Sequence, residues 1–329
     1  MPVTIKDIAR QLGISYATVS RALNNKYGVD PQTRQQVLET AQSLHYRRND
    51  LARGLVKQRT ATIGLIVPDI TNPFYPEVAR GVEEAAHEAG YSVFLCNTAW
   101  EQERELLYVR LLAEKRVEGL IIAPTAQTAE TIETLLTGQI PVIYVSDTQN
   151  NLHSSFIAID NVRGGYLATE HLIQKGYYPI AYLGALEDSL TNEERCTGYI
   201  QALKQYNFSE EPLLYIGSYH SQTAYQIMCE RIAESNVPRA VFAVNDLFAL
   251  GAMQAVREHG LRIPQDVAIV GFDDIPLASF PEIQLTTVAQ PKREMGQLAF
   301  AMLQQRMTSP TSPPQRTLLE PHLVIRKSS

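Results

Sequence analysis

Apolar positions in the first part of the chain recur with the helical period. Ile5, Ile8, Ala9 and Leu12 fall at i, i+3, i+4 and i+7, one face of a helix that Thr4 caps, Asp7 supports at the capping-box position and Gly13 ends. Ser15 then caps a second helix, Tyr16 to Asn24, whose inner side is Ala17 or Thr18 with Val19, Ala22 and Leu23. The turn between the two is too short for antiparallel packing. Asp30 as cap and Pro31 at the first helical position open a third helix through Val37, Leu38, Ala41 and Leu44. Residues 1–46 therefore read as a compact all-α unit. The stretch 47–60 is basic, with Leu51, Leu55 and Val56 as its core-type residues, and reads as a linker of weak helical potential.

From Thr62 the period changes. Apolar runs of strand length (TIGLIVPD, YSVFLCN, VEGLIIAP, PVIYVSD, SFIAID) alternate with helical segments, and a second series (IAYLGAL, LLYIGSY, AVFAVND, VAIVGFDD) follows. Buried strands alternating with amphipathic helices predict right-handed βαβ units, hence parallel sheets with helices on both faces. A body spanning residues 61–329 is large for one open sheet, so two lobes are expected. The Pro/Ser loop TSPTSPPQ at 308–315 precedes one last strand, LLEPHLVIR.

Charge divides the chain at the same place. The whole carries −6, which argues against a nucleic-acid partner, yet residues 1–60 hold ten Lys and Arg against four acids, a net of +6, leaving −12 for the rest. A basic head on an acidic body points to nucleic-acid contact at one end. Cys96, Cys196 and Cys229 are scattered, without a C-x-x-C pair, so neither a disulfide framework nor a zinc site is indicated, and a reducing compartment fits. The charged N-terminus is unlike a signal peptide and no window approaches a membrane span, so the expected location is the cytoplasm. The seven histidines lack ligand spacing and are expected on the solvated surface. There is no phosphate loop, dinucleotide fingerprint or nucleophile elbow, which removes the usual parts of a nucleotide enzyme or hydrolase.

Two places remain for chemistry. The helix pair over 4–24 has a helix-turn-helix layout whose second helix presents Ser15, Tyr16, Ala17, Ser20 and Arg21; an arginine there can fork onto guanine O6 and N7. An ordinary helical hairpin is the alternative. In the body, ligands of open parallel sheets bind beyond the carboxyl ends of strands. Those positions hold Asp69, Thr191, Arg195, Tyr219, Asn245, Asp246, Asp273 and Asp274. Carboxylates, an amide and an arginine beside the rings of Phe74, Tyr75 and Tyr219 suit a polyhydroxylated ligand. Phe74 and Tyr75 fit a buried helix start equally well, and one of Asn245 and Asp246 is expected to cap the following helix.

The segments TIKDIARQLGISYATVSRALN (4–24), LHY (44–46), ARGL (52–55), IGLIVPDITNPFY (63–75), EGLII (118–122) and GFDD (271–274) together resemble the lactose/galactose repressor (LacI/GalR) family over essentially the whole chain. The resemblance implies a repressor that binds double-stranded operator DNA as a homodimer or tetramer, without metal or cofactor and away from membranes. Its headpiece is residues 1–46, its hinge 47–60, and its body, like a periplasmic sugar-binding protein, an N-lobe of about 61–160 plus 292–323 and a C-lobe of about 161–291. It implies base contacts at Tyr16, Ala17 and Arg21, and backbone phosphate contacts at Thr4, Ser15, Thr18, Ser20 and Asn24. Leu55 matches a leucine that wedges into the minor groove, packing on the body being the other reading. Arg48 stands where the family usually has a proline, and Gly54 lowers helix propensity by about 1 kcal/mol relative to Ala. Effector positions fall on Thr191, Arg195, Asn245, Asp273 and Gln290, a combination like that of the sugar-binding members; purine-binding members usually lack the amide at Asn245. A purine or phosphorylated carrier protein as coregulator, a solute-binding protein and a sugar-metabolising enzyme are the alternatives.

The charge division carries a prediction. Isolated residues 61–329 should bind effector and self-associate without affinity for DNA, because an acidic surface is repelled by the duplex; salt-sensitive retardation of a DNA fragment by that piece would contradict it.

Overall fold

The computed structural model describes residues 3–46, 60–125, 128–146, 154–185, 189–208, 211–218 and 221–329. The chain divides into two compact units, residues 1–60 and 61–329. Leu55 and the linker around it lie outside the described residues, as does Tyr219.

In the first unit, caps set the ends of α1 (Ile5–Leu12), α2 (Tyr16–Leu23) and α3 (Pro31–Ser43). The Asp7 carboxylate accepts the Thr4 N–H and hydroxyl, Ser15 Oγ accepts the Thr18 N–H, and Asp30 accepts the Thr33 N–H. These bonds hold the Asp7 and Asp30 carboxyls below the usual carboxylate range. Gly13, at φ 63°, ends α1 in the left-handed region. Ile8, Ala9, Val19, Ala22, Leu23, Val37 and Ala41 make the core. Leu38, expected inside, is 43% exposed. Val37 and Ala41, four apart, already define the inward stripe, and Leu38 sits one residue, roughly 100°, round the helix from it. Ala17 is exposed and Thr18 half-buried, so the inner side of α2 is Val19, Ala22 and Leu23.

Among the described residues, the second unit contains two six-stranded sheets. The first joins β1 (Thr62–Val67), β2 (Ser92–Asn97), β3 (Leu120–Ile122), β4 (Val142–Val145), β5 (Ser155–Ile159) and β11 (Arg316–Leu319) in the order β2-β1-β3-β4-β5-β11, every pair parallel. The second joins β6 (Ile180–Ala185), β7 (Leu213–Gly217), β8 (Ala240–Ala243), β9 (Ala268–Asp273), β10 (Thr286–Ala289) and β12 (His322–Val324) in the order β7-β6-β8-β9-β10-β12; only β12 runs antiparallel, against β10. Without the tail strands, both sheets have the doubly wound 2-1-3-4-5 order, which places ligands beyond the strand carboxyl ends.

The chain passes between lobes after β5, after β10 and between β11 and β12. That last passage corrects the tail, expected as one strand and as N-lobe to 323. Pro321, which has no N–H to give a ladder, separates β11 in the first sheet from β12 in the second. His171 is likewise not on the solvated surface. It is buried, its Nε2 is 2.9 Å from Ser329 Oγ, and burial pushes its pKa down.

Each lobe is closed by a helix pair whose backbones touch. In the first, α4 (Phe74–Glu88) crosses α11 (Lys292–Thr308); in the second, α7 (Asn161–Gln174) crosses α8 (Leu190–Gln205). A Cβ on Gly81 would lie 2.0 Å from the Arg293 carbonyl oxygen and one on Gly296 2.1 Å from that of Val78. A Cβ on Gly165 would lie 2.2 Å from the Arg195 carbonyl oxygen and one on Gly198 2.1 Å from that of Val162. Gly165 thus sets the position of the backbone that carries Arg195. Gly165→Ala should destabilise the body by about 1–3 kcal/mol, read as a lower urea midpoint; an unchanged midpoint would show that the two helices part freely.

Candidate functional site

A cleft of about 570 Å³, counting its open mouth, is lined by residues from both lobes of the body. The N-lobe wall holds Asn72, Phe74, Tyr75, Trp100, Thr125 and Ser146; the C-lobe wall holds Ser189, Thr191, Arg195, Asn245, Asp273 and Gln290. Nearly all follow the carboxyl end of a strand. Phe74 and Tyr75, in the first turn of α4, are both buried and both on the wall, so the two readings of these rings coincide. Phe74 meets Tyr75 edge-on at 5.1 Å and Tyr75 meets Trp100 at 6.5 Å, an aromatic surface suited to the C–H face of a ligand.

Arg195 organises the C-lobe wall. It is buried, Nε donates to Asn161 Oδ1 at 2.9 Å and Nη1 to the Val244 carbonyl at 2.6 Å, and the guanidinium lies 3.7 Å from the Phe272 ring centroid. Its Nη2 is 3.8 Å from Asp273 Oδ1. Burial pushes the Asp273 carboxyl up, against the opposing charges of Arg195 and Lys292 and the bond from Gln290 Nε2 at 2.6 Å. Asp273 also sits at φ 112° and Asp274 at φ 51°, a backbone that costs of order 1–3 kcal/mol per residue unless held. Lys292 Nζ holds it through the carbonyls of both, and Arg326 holds Asp274 Oδ1 at 2.6 Å.

Asn245 caps α10 (Asp246–Glu258): its Oδ1 accepts the Phe248 N–H at 2.9 Å, and the residue also lines the cleft. Asp246 points elsewhere, accepting the Thr287 hydroxyl at 2.5 Å and the Ile275 N–H at 2.8 Å, its pKa raised well above the ordinary value by burial and then by the Asp273 charge. Thr191 shares a 2.7 Å hydrogen bond with Ser189.

The structure therefore brings Phe74, Tyr75, Thr191, Arg195, Asn245, Asp273 and Gln290 to one cleft. Asp69 is not among them. Its Oδ1 accepts the Thr71 N–H and hydroxyl, an Asx turn that uses the carboxylate locally. Sequence reasoning missed Asn72, Trp100, Thr125, Ser146 and Ser189, although the strand-end rule applied to β1–β4 would have found most of them. Trp100, the one tryptophan in the chain, follows Ala99 in a turn where both have positive φ (62° and 54°).

Glu105 was also missed. It lies on α5 (Gln102–Glu114), fully buried, its carboxylate accepting the Thr125 N–H at 2.7 Å and the Thr128 hydroxyl, while Thr125 Oγ1 pairs with Thr98 Oγ1 at 2.7 Å. It fixes the loop that brings Thr125 to the cleft. Among the described residues no group of three or more His, Cys, Asp and Glu side chains is arranged to hold a metal ion. No described helix is long and apolar enough to cross a membrane.

On the first unit, Tyr16, Ala17 and Arg21 are exposed along α2, with Ser15 at its start and Asn24 at its end. Ser20 is half-buried, and its carbonyl accepts Asn24 Nδ2 at 2.8 Å. Thr4 is exposed at the start of α1.

Comparison with known proteins gives this layout a family. Residues 4–49 match the description "Bacterial regulatory proteins, lacI family", and residues 60–327 match "Periplasmic binding proteins and sugar binding domain of LacI family". The chain belongs to the lacI family. It is a DNA-binding transcriptional regulator with an effector-binding body. The HTH-type transcriptional regulator RegA of Clostridium saccharobutylicum is 35% identical over 331 residues, covering 100% of both chains. An HTH-type transcriptional repressor PurR, of Vibrio atlanticus, is 36% identical over 327 residues, 99% of this chain and 98% of that one. Among solved structures, a Lac repressor dimer bound to operator and the anti-inducer ONPF matches at TM-score 0.88 with 29% identity, covering 100% of this chain and 99% of that one. A lacI-family regulator from Enterococcus faecium with bound ribose matches at 0.74 with 32% identity, covering 82% and 98%.

Burial pushes the Glu105 carboxyl up, so the folded chain takes up this proton before the unfolded one does. Its contribution to stability is complete below the ordinary glutamate value and is lost as pH rises through the raised one. Glu105→Gln should flatten that part of the pH–stability curve while keeping the loop. Glu105→Ala should cost about 1–3 kcal/mol at pH 7 by orphaning the Thr125 N–H, as chemical denaturation would measure.

Proposed function

We propose that this regulator is a repressor that binds a palindromic operator as a homodimer and responds to a small polyhydroxylated effector, a sugar or sugar derivative, in the body cleft. The observation that carries the effector reading is the convergence of Arg195, Asn245, Asp273 and Gln290 opposite the Phe74–Tyr75–Trp100 rings. Fixed donors and acceptors match adjacent hydroxyls, and the rings cover the apolar face. The relatives are regulators, and the role assigned to the cleft is binding without turnover. Cytoplasmic location follows from work on DNA.

In the headpiece, residues 1–46, Tyr16, Ala17 and Arg21 read base edges, while Thr4, Ser15, Thr18, Ser20 and Asn24 meet or orient phosphates. The hinge, 47–60, brings Leu55 to the minor groove. Effector binding shifts the lobes of the paired bodies and changes operator affinity through a coupling of about 1–3 kcal/mol.

Arg21→Ala should cost about 1–3 kcal/mol for the cognate site and relax specificity at one base pair, while operator affinity falls steeply with salt for both proteins. Fluorescence anisotropy on an operator recovered by genomic selection measures both, and absence of any preferred palindromic site would end this reading. Asn245→Ala should abolish the sugar response while costing about 1 kcal/mol of stability through the lost cap; an intact response removes Asn245 from the site.

A further inference from the structure

We infer that the cleft takes an uncharged ligand that donates hydrogen bonds, a free monosaccharide or polyol, and rejects phosphate esters and acids of the same sugar. The inference rests on the sugar reading above and narrows it.

Charge comes first. Among the described residues, Arg195 is the only Lys, Arg or His side chain on the cleft wall. It is already committed to Asn161, the Val244 carbonyl and the Phe272 ring, and Asp273 balances its charge. Lys292, the other cation near Asp273, spends its ammonium on two backbone carbonyls and does not line the wall. Asp274 faces Arg326, and Asp246 is buried behind Asp273 with its own hydrogen bonds. The segments 147–153, 186–188 and 219–220, outside the described residues, contain no Lys or Arg; they contain Asp147, Glu187, Asp188 and two histidines. A phosphate dianion entering this cleft would lose its water and find no free cation, the costly form of charge burial.

Hydrogen-bond polarity points the same way. Gln290 is buried, its Nε2 is given to Asp273, and its Oε1 has no partner within the described protein. A buried carbonyl oxygen left unpaired costs free energy, and Gln290 lines the cleft, so a ligand that brings a hydrogen-bond donor to this oxygen is favoured over one that brings only acceptors. Asp273 beside it is also an acceptor. Hydroxyl groups supply donors to both, whereas an ionised phosphate offers acceptors alone.

The test is thermal unfolding of the full chain at pH 8, where imidazoles are largely neutral. Its ligands are matched pairs: ribose and ribose 5-phosphate, glucose and glucose 6-phosphate, fructose and fructose 6-phosphate, galactose and galactose 1-phosphate, with gluconate and hypoxanthine alongside. One free sugar should raise Tm and bind at least about a hundredfold tighter than its own ester. An ester or acid that binds as well as its parent overturns the inference and leaves the sugar reading standing. Hypoxanthine binding, or no response to any sugar, overturns the sugar reading and the inference with it. Asp273→Asn unmasks the Arg195 charge and should raise the ester-to-parent affinity ratio at least about tenfold; an unchanged ratio in the folded variant counts against the mechanism. Gln290→Leu, which leaves the charges in place, should weaken the free sugar about tenfold, and full affinity in that variant would remove the orphan acceptor from the argument.

Discussion

Arg195 and Asp273 are both buried, and each would be prohibitively costly without the other and the groups around them. Their surroundings bring together parts of the C-lobe that are far apart in sequence. Asn161 comes from the start of α7, the Val244 carbonyl from the end of β8, Phe272 from β9 and Gln290 from just beyond β10. One guanidinium thereby anchors several strand ends at the mouth of the sheet. The positive-φ backbone at Asp273 and Asp274 is tolerable because Lys292 and Arg326 clamp it from two sides.

The two lobes reach the same arrangement by the same means. Each has a 2-1-3-4-5 parallel sheet, a tail strand added at one edge, and a pair of helices brought into backbone contact by reciprocal glycines. In the C-lobe that contact falls on the carbonyl of Arg195 itself, so helix packing and site geometry are one constraint. The N-lobe wall depends instead on Glu105, a buried carboxylate satisfied by the loop it shapes. One wall is polar and charge-balanced, and the other largely aromatic, which suits a molecule with hydroxyls on one side and C–H groups on another.

Much of this is legible in the sequence. The change from a helical to a strand-helix period at Thr62 coincides with the boundary between the two units, and the strand-end rule pointed to Thr191, Arg195, Asn245 and Asp273. The family resemblance added Gln290. Asp69 also follows a strand but satisfies its own turn and is not on the cleft wall, whereas Asn72, Thr125 and Ser146 follow strands of the first sheet and are. The periodicity of the third helix was right for Val37 and Ala41 and wrong for Leu38, because a short helix against two others buries a narrow stripe.

The sequence by itself determined the elements, the parallel class of the body, the polarity between a basic head and an acidic body, and the family. Those properties are written in local period, capping residues and charge, all readable within short windows. The tertiary structure alone decided that Asp273 faces the cleft while Asp246 and Asp274 do not, that Glu105 supports a loop, that Trp100 joins the aromatic wall, and that the tail is split between two sheets. The reason is physical. A carboxylate takes whichever donors packing brings within about 3 Å, and those donors come from segments that no local pattern connects.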